Sequence, residues 1–80
     1  MRWYVKKQSE NNADILINYS YEKNDSCDGL LKYNKISDEI TIEKMSDGAD
    51  DFSTKWLFSH IYNLLDKNEL NEKRYLIAIG

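Results

Sequence analysis

The sequence has no proline, a single cysteine, a single histidine and only three glycines. The one cysteine, Cys27, has no partner for an internal disulfide, so the chain does not fit the class of disulfide-stapled secreted modules. The glycines Gly29, Gly48 and Gly80 are isolated and form no glycine-rich phosphate loop. Because there is no proline, there is also no rigid linker, and we interpret residues 1–80 as a single domain.

A long apolar run and an excess of positive charge are also missing. No apolar stretch approaches the roughly 20 residues of a membrane span. The apolar run near the amino terminus, Trp3–Val5, is too short for a signal peptide. The net charge of -3 disfavours generic binding to nucleic acid, which requires a surplus of lysine and arginine. These absences predict a cytoplasmic protein that does not bind membranes and does not bind nucleic acid generically.

Four segments in the first half of the chain alternate apolar and polar residues, which is typical of half-buried β-strands. The four predicted strands cover residues 1–7, 13–23, 29–36 and 39–45. Their apolar side chains would share one face of a sheet, and these are Trp3, Val5, Ile15, Ile17, Tyr19, Tyr21, Leu31, Tyr33, Ile40 and Ile42. A content of 41% hydrophobic and 31% charged residues fits such a folded chain.

The polar segments between the predicted strands indicate three hairpins. With turns at residues 8–12, 24–28 and 37–38, the apolar residues of neighbouring strands fall opposite one another. The predicted pairs are Val5 with Ile15, Tyr21 with Leu31, and Tyr33 with Ile42. On the opposite face, Lys32 falls across from Glu43, which favours this pairing modestly.

The spacing of apolar residues then changes to that of a helix over residues 51–68. Leu57, Ile61, Leu64 and Leu65 are spaced for one apolar face. An acidic residue at position 50 or 51 is a suitable cap, since carboxylates are favourable at the positive end of a helix.

The final segment, residues 74–79, is apolar on both sides and predicts a well-buried last strand. A last strand that follows four hairpin-connected strands and a helix can pair antiparallel with the first strand, or parallel with the fourth. We favour the first arrangement, because it ties down both ends of the chain. The predicted fold is therefore α+β, ββββαβ, with a five-stranded mainly antiparallel sheet in the order 5-1-2-3-4 and one helix on one face.

Cys27 and His60 are the only candidates for nucleophilic chemistry. A Cys–His pair must lie within hydrogen-bond reach, with a third group to orient the imidazole. The pattern places Cys27 in a loop and His60 in the middle of the helix, and nothing in their spacing brings them together. We therefore interpret them as a loop thiol and a helix-flank histidine, and a small enzyme using either residue stays an alternative.

Two groups of oxygen-bearing side chains are candidate cation sites. Residues 24–29 resemble the start of a calcium-binding loop, but the twelfth position, which needs a bidentate glutamate, is Lys35. Asp47, Asp50 and Asp51 are explained by the electrostatics of the helix start. The sequence predicts neither a metal site nor a cofactor.

A single helix can cover only one face of the predicted sheet, so the other face is left for solvent or a partner. The candidate interaction surface on that face is Arg2, Tyr4, Lys6, Leu16, Leu30 and Lys32. This arrangement favours a non-enzymatic interaction or regulatory module that acts through its open sheet face or a strand edge, on a protein partner or as a homodimer. The alternative is single-stranded nucleic acid binding on that face, with Tyr4 as the only stacking ring.

Overall fold

The computed structural model describes residues 1–79, which form five β-strands and one α-helix in the order ββββαβ. The elements are β1 (Arg2–Glu10), β2 (Asp14–Tyr21), β3 (Gly29–Asn34), β4 (Glu39–Lys44), α1 (Asp51–Asp66) and β5 (Tyr75–Ala78). Every pair of neighbouring strands is antiparallel, and the sheet order is β4-β3-β2-β1-β5. The predicted α+β class and strand order are confirmed.

The core lies between α1 and one face of the sheet, where alternate residues of the strands point inward. Its fully buried side chains are Trp3, Val5, Ile17, Tyr19 and Leu31 from the sheet and Leu57 and Ile61 from the helix. Each contributes roughly 1.5–3 kcal/mol through burial. The inward set predicted from alternation is therefore the set that packs against α1.

The predicted registers of the three hairpins are wrong, although each keeps its apolar residues on the correct face. Val5 pairs with Tyr19 instead of Ile15, Leu31 with Ile17 instead of Tyr21, and Tyr33 with Ile40 instead of Ile42. Each slip is an even number of residues. A period of two fixes the face of a side chain, but it does not distinguish registers that differ by two or four.

The turns decide these registers through local hydrogen bonds. The Oδ1 atom of Asn11 accepts bonds from the amides of Ala13 and Asp14, so β1 continues to Glu10 rather than ending near residue 7. A bulge between Lys7 and Ser9 absorbs one extra residue in this longer strand. In the hairpin between β3 and β4, Asn34 Oδ1 accepts hydrogen bonds from the amides of Ile36 and Ser37 and closes a wider turn than the predicted 37–38.

Hydrogen bonds at both ends define the limits of α1. The Asp50 side chain accepts from the Ser53 amide at 2.7 Å, and Ser53 Oγ accepts from the Asp50 amide at 3.1 Å, which forms a capping box. The predicted cap is therefore Asp50. Asn68, with a φ of 55°, reverses the chain after the last turn, and Glu69 N–H bonds to Leu64 C=O at 2.8 Å. The helix consequently ends at Asp66, two residues before the predicted boundary.

The Tyr19 side chain, which packs closely against Gly29, links the start of α1 to the sheet. A Cβ atom at Gly29 would lie 2.4 Å from the Tyr19 ring, so only glycine permits this approach. The Tyr19 hydroxyl accepts a bond from the Ser46 amide and lies 3.1 Å from Thr54 Oγ1 in the first turn of α1. One buried phenol thus connects β2, the loop after β4 and the helix.

The last strand, β5, is not the well-buried strand that its apolar sequence predicts. It pairs only with β1, and Ile77 is its one buried side chain. Tyr75 and Leu76 are 45% and 47% exposed. An apolar run is ambiguous between a central strand and an edge strand, and the sheet order leaves β5 at the edge. No helix among residues 1–79 is long and apolar enough to cross a membrane.

Candidate interaction surfaces

The two residues considered for nucleophilic chemistry lie in different settings. Cys27 is buried in the loop between β2 and β3, where it adopts a φ of 53°. The imidazole of His60 lies beside the Trp3 ring, with centroids 5.8 Å apart. No hydrogen bond joins Cys27 to His60 within residues 1–79, so the structure does not assemble a Cys–His pair there.

The oxygen-bearing side chains of the loops are used in hydrogen bonds that join two loops. Asp28 accepts from Ser46 Oγ at 2.6 Å and from the Asp47 amide at 3.2 Å, and the Ser46 bond holds the pKa of Asp28 below its ordinary value. Asn24 donates to Asp28 and to the Asp47 carbonyl. These contacts fasten the β2–β3 loop to the loop after β4. The described residues contain no cluster of three or more histidine, cysteine or acidic side chains arranged to hold a metal ion.

A shallow concavity between β3, the following turn and α1 is lined by hydroxyl and carboxylate groups. The Tyr33 hydroxyl donates to Asp38 Oδ1 at 2.5 Å, and the Tyr62 hydroxyl donates to the Asp38 carbonyl at 2.9 Å. The bond to Asp38 raises the pKa of Tyr33, while burial and then the Asp38 charge raise the pKa of Tyr62. Both phenols are therefore neutral at physiological pH.

The outer sheet face carries the six residues of the predicted interaction surface, but it is less open than the sequence suggests. Arg2, Tyr4, Lys6, Leu16, Leu30 and Lys32 all point away from α1. Only Arg2 is exposed, and the other five are partly buried. Ser20, which pairs with Tyr4 and so lies on the same face, is completely buried.

Arg74 covers part of this outer face. Its guanidinium carbon lies 4.8 Å from the centre of the Tyr4 ring, and its Nη1 bonds to the Asp25 carbonyl at 3.0 Å. Lys32, a second basic group on the face, lies 3.4 Å from the Glu43 carboxylate. The one aromatic platform and a neighbouring cation are thus engaged within the protein, which weighs against stacking of nucleic acid bases on this face.

The two edges of the sheet have opposite compositions. The β4 edge exposes Glu39, Thr41, Glu43 and Lys44, and charged side chains of this kind protect an edge against further pairing. The β5 edge has no charged residue from Tyr75 to Ile79. It exposes the side chains of Tyr75, Leu76 and Ile79 instead. An unprotected apolar edge is a template for pairing with another strand.

The backbone of β5 has free hydrogen-bonding groups at alternate residues. Met1 and Ile79 exchange bonds of 2.7 and 2.9 Å, so by the antiparallel alternation Ile77 and Tyr75 also bond to β1. The N–H and C=O groups of Leu76 and Ala78 therefore point outward along the free edge. Beside this edge, on the helix side, lies a groove formed by β5 with His60, Asn63 and Lys67 of the helix flank.

A pair of exposed aromatic rings on α1 was not anticipated from the sequence. Phe52 and Trp56 are 66% and 50% exposed, and their rings meet edge to face with centroids 6.2 Å apart. Trp56 does not belong to the apolar helix face of Leu57, Ile61, Leu64 and Leu65. Its position could have been found from the helical spacing, because residues 52, 56 and 59 follow one another on the side opposite Leu57 and Ile61.

Comparison of the chain with protein-family models, with curated proteins and with solved structures found no match. What the protein does must therefore be inferred from its own surfaces.

Proposed function

We propose that this protein is a non-enzymatic interaction module that captures an extended segment of a partner protein along the free edge of β5. The observation that carries the proposal is the contrast between the two sheet edges, since β4 is charged and β5 is apolar and uncharged. Edge strands are usually protected against pairing, and an unprotected one is retained at a risk of aggregation. A binding role explains its presence.

The bond pattern and side chains of β5 define the partner segment. Outward N–H and C=O groups at Leu76 and Ala78 supply the main-chain bonds of strand addition. Leu76 on the outer face and Tyr75 on the helix face give apolar contacts on both sides of an added strand. The segment that fits is therefore extended, β-prone and uncharged where it meets the edge.

Selection of linear peptides against the immobilised protein tests this proposal. We expect the selected peptides to be β-prone and uncharged. In ¹⁵N spectra these peptides should shift the amide resonances of β5, and they should slow hydrogen exchange at the Leu76 and Ala78 amides. Ala78→Pro removes an outward donor without disturbing a bond to β1 and should abolish binding. Binders that shift the outer face or the Phe52–Trp56 pair instead, or no binders at all, would overturn the proposal.

A matched pair of variants separates the two edges. Leu76→Lys adds a charge to the apolar edge, and Thr41→Lys adds the same charge to the protected one. We expect peptide binding to fall at least about tenfold in the first variant, which corresponds to about 1.4 kcal/mol, and to persist in the second. Equal loss in both variants would contradict edge-specific binding.

A further inference from the structure

We infer that a second copy of this chain occupies the β5 edge, and that two β5 strands pair antiparallel about a twofold axis at Ile77. The inference rests on the proposed function, because it names the partner for the same edge. It extends that function by giving a register, a symmetry and a set of contacts.

The hydrogen-bonding pattern of the edge is self-complementary. The outward groups belong to Leu76 and Ala78, which lie one residue on either side of Ile77. When two such strands run antiparallel, Leu76 of one copy faces Ala78 of the other, and each pair exchanges both of its N–H···O=C bonds. The same residue, Ile77, meets its own equivalent on the axis, as an isologous interface requires.

The side chains are compatible with this register on both faces. On the outer face, Leu76 packs beside the smaller Ala78 of the second copy. On the helix face, Tyr75 lies opposite Ile79, so two side chains that are 45% and 37% exposed in the single chain cover each other. Aromatic and β-branched pairs of this kind stabilise adjacent strands.

The charges also permit self-association at this edge. The chain carries a net charge of -3, so two copies repel each other weakly overall. From Tyr75 to Ile79 there is no charge to repel its equivalent. Arg74, the nearest cation along the chain, is held over Tyr4 and against Asp25. The β4 edge exposes Glu39, Glu43 and Lys44, so it carries charges that the β5 edge does not.

Sedimentation velocity of the full chain from low micromolar to millimolar concentration tests the inference. The paired segment is short, so the dimer should be weak and should form only toward the upper end of this range. Ala78→Pro and Leu76→Lys should be monomeric throughout, whereas Thr41→Lys should dimerise like the wild type. Because Leu76→Lys changes only an exposed side chain, it remains informative if Ala78→Pro does not fold.

Isotope-filtered NOE spectra of a mixture of labelled and unlabelled chains test the register. We expect contacts between the Leu76 methyl groups of one copy and the Ala78 methyl group of the other. A monomeric wild type at millimolar concentration would overturn this inference, and so would a dimer whose contacts lie on Leu16 and Leu30. If the wild type is monomeric while selected peptides still bind β5, the proposed function stands and only the second copy is excluded as its partner.

Discussion

Ser20 and Ser46 are two buried serines that differ in whether the hydroxyl group has a hydrogen-bond partner. Both residues are almost completely buried. Ser46 Oγ donates to Asp28 at 2.6 Å, whereas Ser20 Oγ has no hydrogen-bond partner within the described chain. A buried polar group without a partner costs free energy, and one that bonds to a carboxylate recovers it.

These two serines give a prediction with an internal control. Ser20→Ala removes an unpartnered hydroxyl and should leave the free energy of unfolding unchanged or raise it by about 1 kcal/mol. Ser46→Ala deletes the donor to Asp28 and should lower it by about 1–2 kcal/mol. Denaturant unfolding of both variants measures the difference. A larger loss for Ser20→Ala than for Ser46→Ala would contradict the hydrogen-bond assignment.

At the scale of the helix, α1 has an apolar face that packs in the core and a pair of aromatic rings that lies at the surface. Leu57 is fully buried under the sheet, while Trp56 beside it is 50% exposed. Exposed aromatic pairs on a monomer often mark contact surfaces. Phe52 and Trp56 line a shallow concavity that shares no residue with the groove beside β5.

Substitutions at adjacent helix positions should separate these two roles. Trp56→Ala should change the free energy of unfolding by less than about 1 kcal/mol, because the ring is half exposed and alanine favours helix. Leu57→Ala should lower it by about 2–5 kcal/mol through the cavity that it leaves. Thermal unfolding followed by circular dichroism checks both values. Comparable destabilisation by both variants would show that Trp56 belongs to the core.

At the scale of the whole molecule, one carboxylate joins two neighbouring hairpins. Glu10, at the end of β1, lies 2.8 Å from Lys7 and 2.7 Å from Lys35, which follows β3. The hydrogen bonds from Lys35 and then Lys7 lower the pKa of Glu10 from 4.5 to about 2. The bulge in β1 makes this contact possible, because it turns Glu10 to the side of the sheet that carries Lys7.

This lowered pKa predicts a loss of stability in acid. The unfolded chain takes up the Glu10 proton at a higher pH than the folded chain does. The contribution of Glu10 to the free energy of unfolding is therefore complete above pH 4.5 and is lost as the pH falls to about 2. The free energy of unfolding of Glu10→Gln should fall less steeply than that of the wild type over this pH range. Added salt should reduce the difference between the two proteins. Identical pH profiles of unfolding for the two proteins would contradict the linkage.

The sequence by itself determined the class of fold and the face on which the apolar strand residues lie, and it favoured the strand order that the structure has. Alternation with a period of two separates inward from outward side chains, and the helical spacing from residue 51 identifies the element that covers the inward face. The capping preference of aspartate likewise located the start of α1 near residue 50. These features depend on neighbours along the chain.

Only the tertiary structure decided the registers, the exposure of β5 and the covering of Tyr4 by Arg74. Registers that differ by two residues bury the same side chains, so hydrogen bonds in the turns, such as those of Asn11 and Asn34, choose among them. The predicted order already placed β5 at an edge of the sheet, but its apolar content could not show that Tyr75 and Leu76 are left exposed there. The contact of Arg74 with Tyr4 joins residues 70 positions apart, and no local pattern encodes such a contact.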